Sequence, residues 1–298
     1  MYNKIMVPLD GSRFAEAALP FAVSLARQTG AELGLVTVQE PIPGFAYEGW
    51  EAAAREHGER YLDEVRQKLE QQMIAKVAAH FLEGHVTEVL EERARADEVD
   101  IVVMASHGRG AFSRLWLGSV ADAFVRHTDR PVLVIRPEAD PPSGPPADVS
   151  FRKILVPLDG TELSQSALAH AVALGALYGA SYVLVRVVPF PMEITSPYLP
   201  HTVQMNQALV EEAKDAAAAY LEARAADLRK RGYGVETAVV VAAQPGRAIL
   251  GEAEAAGCDL VAMSTHGRSE LGRLILGSTA DKVLRGTHTP VLLHRPVS

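Results

Sequence analysis

The segment "MASHGRGAFSRLWLGS", Met104 to Ser119, returns as "MSTHGRSELGRLILGS", Met263 to Ser278, with His-Gly-Arg, Arg-Leu and Leu-Gly-Ser at identical spacing. Over Asp100 to Pro137 against Asp259 to Pro296, 20 of 38 positions are identical, where average composition would give roughly one in twenty. The openings also align: "NKIMVPLDGSRFAEAAL" (Asn3 to Leu19) matches "RKILVPLDGTELSQSAL" (Arg152 to Leu168) at an offset of 149, which becomes 159 from Tyr61 and Tyr220 onward. The second copy is therefore ten residues longer, and the extra length is assigned to the proline-bearing stretch "PFPMEITSPYLPHT", Pro189 to Thr202, read as a surface loop insertion. Internal duplication restricts the chain to two copies of one domain fold. The expected boundaries are 1–137 and 151–298, joined by a Pro-rich linker at 138–150 that lacks apolar periodicity.

The composition supports that division. A chain of 298 residues, 48% of them hydrophobic, can fill two cores without disulfides. Its single cysteine, Cys258, excludes a disulfide framework and a thiolate metal cluster within one chain, and fits a reducing compartment. Cys258 precedes an apolar run and is matched by Val99 in the first half, so it reads as a packing residue. No stretch approaches the roughly 20 apolar residues of a membrane span, and the N-terminus has no signal-peptide pattern. A cytoplasmic, soluble protein with no membrane partner is expected. A net charge of -8 gives no footprint for nucleic acid.

In each half, short β-rich runs alternate with longer helical patterns. The first half predicts strands at 4–9, 32–38, 75–82, 101–105 and 132–136, and helices at 12–29, 48–72, 86–97 and 117–127. Runs such as "KIMVPL" and "DIVVMA" are nearly continuous in apolar residues, as parallel strands covered on both faces require. This is an α/β pattern, and ligands of open α/β sheets bind at the carboxyl ends of the strands. Asp10 and the repeated motif both lie at such ends.

The motif has the makings of an anion site. Glycines admit a ligand close to the backbone, and a helix start carries unpaired N–H groups and about half a positive charge. Gly118 and Ser119, and Gly277 and Ser278, would supply the helix start, while Arg109 and Arg268 would add mobile cations. The alternative is a tight turn at the glycine and an ordinary serine cap. Asp10 and Asp159, each in "VPLDG", are either ribose-binding carboxylates or caps of the following helix. His107 and His266 have no obvious Cys, Ser or carboxylate partner within their motif and read as loop histidines, so no catalytic residue is assigned. No G-x-x-x-x-G-K-[ST] loop, no G-x-G-x-x-G after the first strand and no His/Cys metal cluster is present.

The "VPLDG" opening, the acidic start of the fourth strand, the H-G-R plus G-S segment and the final "PVL" strand occur in each half, and together they resemble the universal stress protein family in a tandem two-domain form. The resemblance implies two Rossmann-like α/β/α domains, each with a five-stranded parallel sheet of order 3-2-1-4-5, paired through their last strands. It implies an adenine nucleotide (ATP, AMP or ADP, with or without Mg) as ligand. The family pattern runs G, two residues, G, nine residues, then G and S or T. Gly108, Gly118 and Ser119 match it in one half, and Gly267, Gly277 and Ser278 in the other, while Ala105 and Ser264 replace the first glycine. By resemblance, Asp10 and Asp159 meet ribose, Pro8 and Pro157 shape the adenine end, and Val38 and Val187 offer backbone to adenine. Gly108, Gly118, Ser119 and Val120, with Gly267, Gly277, Ser278 and Thr279, would hold phosphates. The implied role is a nucleotide-dependent sensor or regulator in a stress response. Slow ATP hydrolysis and a nucleotide-free dimerising scaffold are the alternatives, and further association into homodimers stays open, as does the downstream partner.

Overall fold

In a computed structural model, which describes residues 2–41, 49–72, 74, 76–107, 117–138, 149–189, 202–265 and 276–295, the apolar runs form parallel strands. Residues 202–206 are described by backbone only. Gly108, Arg109, Gly267, Arg268 and His266 lie outside the described residues, as does most of the Pro-rich linker. The described residues form two units, 1–150 with 288–298, and 151–287.

The first unit runs β1 (Lys4–Pro8), α1 (Arg13–Glu16), α2 (Leu19–Thr29), β2 (Glu32–Gln39), α3 (Trp50–Gln71), β3 (Val77–Glu83), α4 (Val86–Ala96), β4 (Ile101–Ala105), α5 (Ser119–His127) and β5 (Val132–Ile135). The second runs β6 (Lys153–Pro157), α6 (Glu162–Gly175), β7 (Ser181–Val188), α7 (Thr202–Lys230), β8 (Val235–Val241), α8 (Pro245–Ala255), β9 (Leu260–Ser264) and α9 (Ser278–Gly286); β10 (Val291–His294) follows and counts with the first unit. Parallel pairing links β3 to β2, β2 to β1, β1 to β4 and β4 to β5. In the second unit β8, β7, β6 and β9 pair in the same way. β10 lies antiparallel to β5, with Leu292 opposite Leu133. Right-handed crossovers toward β3 and back toward β5 put the intervening helices on opposite faces. Both faces of β4 are thereby covered, and every residue of "IVVMA" is buried.

The acid at the start of the fourth strand has a structural task in both halves. Asp100 accepts from the Asn3 and Lys4 amides at 2.6 and 3.0 Å, and Asp259 from the Arg152 and Lys153 amides at 2.8 and 3.1 Å. Each carboxylate thus fastens the first strand of its domain to the fourth. No helix among the described residues is long and apolar enough to cross a membrane.

Two local expectations are corrected. The helix expected at 12–29 is two helices, with a turn at Ala17 and Ala18 and Pro20 in the first turn of α2. Proline has no N–H with which to continue a helical ladder; the equivalent position is Ala169, inside the unbroken α6. The helix expected from Leu117 starts at Ser119, because the Gly118 amide donates back to Ser106 at 2.7 Å. The proline-bearing stretch to which the added length is assigned lies, apart from Pro189 and Thr202, outside the described residues. After it, α7 runs for 29 residues from Thr202, and α3 for 22 from Trp50.

Two outcomes test this account. Asp100→Ala strands two amide donors and should cost about 1–3 kcal/mol in urea unfolding, with Asp259→Ala alike. Glu98 sits at φ 53° in a turn where the second copy has Gly257 at φ 65°. Left-handed backbone penalises a side chain by about 1 kcal/mol, so Glu98→Gly should be neutral to stabilising, whereas elsewhere in a chain such a change destabilises.

Candidate functional site

At the carboxyl end of the first sheet lies a cavity of about 330 Å³. Its position follows from the strand order. From β1 the chain moves one way to β2 and β3, then returns to β4 on the other side, so the connections diverge and leave a crevice above β1. Of the predicted first-half residues, the structure brings together Pro8, Asp10, Val38, Ala105, Gly118, Ser119 and Val120 around this cavity.

The lining is graded along the sheet edge. Val36 and Val38 of β2, with Val86 and Leu90 of α4, make an apolar wall; Pro8 and Asp10 follow at the end of β1; then come Ala105, Ser106 and the first turn of α5. At about 4.8 Å between neighbouring strands, the apolar wall and the helix start stand about 10 Å apart with the carboxylate between them.

Asp10 joins its two sequence readings. Its Oδ1 accepts from the Ser12 amide at 2.9 Å and from the Ser12 hydroxyl at 2.6 Å. Ser12 Oγ in turn accepts from the Ala15 amide at 3.2 Å and caps α1. Asp159 and Thr161 repeat this before α6, at 2.9 and 2.6 Å. The aspartate therefore holds the cap rather than being the cap, and it still lines the cavity.

Ser119 does not cap its helix. The N-cap is Gly118, at φ -59° and ψ 147°, and Gly277 occupies the same place before α9 at φ -57° and ψ 143°. Neither cap offers a side-chain acceptor to the first amides of its helix. The reason for glycine is close approach. A Cβ on Gly118 would stand 3.0 Å from the Ser106 carbonyl oxygen. The Gly277 amide likewise donates to Thr265, at 2.8 Å.

Ala105 and Ser264, in place of the first motif glycine, do not adopt positive φ. Both are the last residues of regular strands, and the one non-glycine residue with positive φ among the described residues is Glu98. The reading of His107 as lacking a serine partner is corrected: its Nδ1 and the Ser106 hydroxyl lie 2.9 Å apart in the cavity wall. The sequence signal was there in the adjacent residue, but adjacency alone does not show two side chains turning toward each other. Cys258 is buried, and burial pushes its thiol up to about 11, as a packing residue requires.

In the second unit, Pro157 and Asp159 end β6, Val187 lies near the end of β7, Ser264 ends β9, and Gly277, Ser278 and Thr279 start α9. The strand order β7, β6, β9 sets them out in the same sequence along the edge.

A family model described as the universal stress protein family matches residues 1–136 and 150–295. A universal stress protein of Mycolicibacterium smegmatis is 26% identical over 300 residues, covering 98% of this chain and 97% of its own. One from Mycobacterium bovis is 28% identical over 315 residues, covering 98% and 94%. The solved structure of a universal stress protein from Archaeoglobus fulgidus, 20% identical, has the same fold, with a TM-score of 0.69 over 98% of this chain and 96% of its own.

The helix start gives a paired test. Gly118→Val should push Ser106 away from α5 and cost about 1–3 kcal/mol in urea unfolding. Ser119→Ala, removing an exposed hydroxyl that caps nothing, should change stability by less than about 0.5 kcal/mol.

Proposed function

The chain belongs to the universal stress protein family, and on that premise we propose that each domain binds an adenine nucleotide and that the chain acts in the cytoplasm as a nucleotide-dependent regulator of a stress response. One observation carries the reading. The apolar wall, the carboxylate and the uncapped helix start follow one another along the sheet edge in the order of base, ribose and phosphate in a nucleotide. Val36 and Val38 would flank a flat heterocycle beside Pro8. Asp10 would accept from ribose hydroxyls, as acidic residues do at other nucleotide-binding sheets. The amides of Ser119 and Val120 would meet phosphate oxygens, helped by the dipole of α5. Asp159, Val187, Ser278 and Thr279 would do the same in the second domain. ATP, AMP and ADP share the base and ribose and differ only at the helix start, so the number of phosphates is set there, with Mg as the ion that would accompany a triphosphate.

Calorimetric titration of nucleotide-stripped protein with ATP should give saturable binding. Asp10→Ala combined with Asp159→Ala should weaken it by roughly tenfold or more, the value of a charge-assisted hydrogen bond. Absence of heat at millimolar ATP would sink the reading.

A further inference from the structure

The two domains use one tyrosine differently. In the first, Tyr61 of α3 donates its hydroxyl to Glu16 Oε1 at 3.0 Å. In the second, the counterpart of Glu16 is Gln165, and the hydroxyl of Tyr220 in α7 is buried with no hydrogen-bond partner among the described residues. Two cations have arrived where the first domain has none. Arg186 of β7 replaces Thr37, and Arg224 of α7 replaces Val65. Their guanidinium carbons lie 5.0 and 5.6 Å from the centre of the Tyr220 ring. Arg186 also rests against the backbone of Gly160, where a Cβ would stand 3.2 Å from both of its terminal nitrogens.

The electrostatics of this cluster are incomplete. Neither arginine forms an ion pair or hydrogen bond with a described residue, and Nε of Arg224 is buried without an acceptor. Stacking on an aromatic ring returns about 0.5–1 kcal/mol per exposed cation, rising on desolvation. It does not supply the acceptors that planar guanidinium forks are shaped to meet, which are paired oxygens of a carboxylate or phosphate. Two half-buried positive charges on one ring, with an unsatisfied hydroxyl donor, match an oxyanion with several oxygens and more than one negative charge.

We propose that Arg186, Arg224 and Tyr220 form an oxyanion site in the second domain that takes phosphate, either free or as a phosphomonoester. The proposal does not rest on the nucleotide reading, although the Arg186 guanidinium reaches Gly160, the neighbour of Asp159. Arg186 and Val187 are consecutive in β7 and so point to opposite faces of the sheet.

The test titrates the full chain with inorganic phosphate and with glycerol phosphate, read by calorimetry and by 31P line broadening. Arg186→Thr and Arg224→Val install the residues of the first domain at the same positions, and each should weaken binding by roughly tenfold. Tyr220→Phe keeps the ring and should weaken it less, and it serves as the probe if an arginine variant fails to melt cooperatively. Binding should persist in Gly118→Val/Gly277→Val, which alters the helix starts assigned to nucleotide. Tighter binding of the ester identifies a phosphomonoester as ligand, and equal or tighter binding of inorganic phosphate identifies the free ion. No binding by the wild-type chain would overturn the proposal, as would binding that survives both arginine replacements or is lost only in the glycine variant.

Discussion

The position of β1, and of β6 in the second half, between strands that the chain reaches by diverging connections is the constraint on which the rest depends. Parallel strands oblige every connection to cross the sheet, and the handedness of the crossover sends the helices to opposite faces according to the direction of travel. Where that direction reverses, the adjoining connections leave toward opposite faces and a crevice opens at the strand ends. The cavity is located by topology before any side chain is specified. Asp100 and Asp259 reinforce the arrangement from the opposite edge, each tying the amides of the first strand to the start of the fourth.

Glycine has a particular part in this geometry. Gly118 and Gly277 have ordinary negative φ, so left-handed backbone is not their purpose. Gly118 lets a helix start approach the carbonyl at the end of the fourth strand and receive no side-chain cap. One backbone contact thereby both joins α5 to β4 and leaves amide donors facing the crevice. Structural and functional readings of the motif are two consequences of one close approach.

The halves share these backbone devices and differ in what packs behind the second strand. Glu16 satisfies Tyr61, whereas Tyr220 is flanked by Arg186 and Arg224. A side chain on the back of a sheet can change without disturbing the front edge, since alternate strand residues face opposite ways. The two domains can therefore keep one crevice design and diverge in charge elsewhere.

The sequence by itself determined the duplication, the α/β class, the buried strands, the places of Pro8, Asp10 and Val38 at or just past strand ends and those of Gly118 and Ser119 at a helix start, because these follow from local periodicity and from spacing repeated twice. Its errors were also local: Pro20 divides a helix whose apolar pattern continues across it, and the helix expected from Leu117 starts two residues later. Tertiary structure alone decided that Gly118 rather than Ser119 stands at the helix cap, that Asp10 holds Ser12 while lining the cavity, that Ser106 meets His107, and that Arg186 and Arg224 share one ring. Each of these rests on distances between groups, through side-chain rotation or through residues far apart in the chain. Hydrophobic periodicity carries the direction in which a residue faces, but not which partner it meets there.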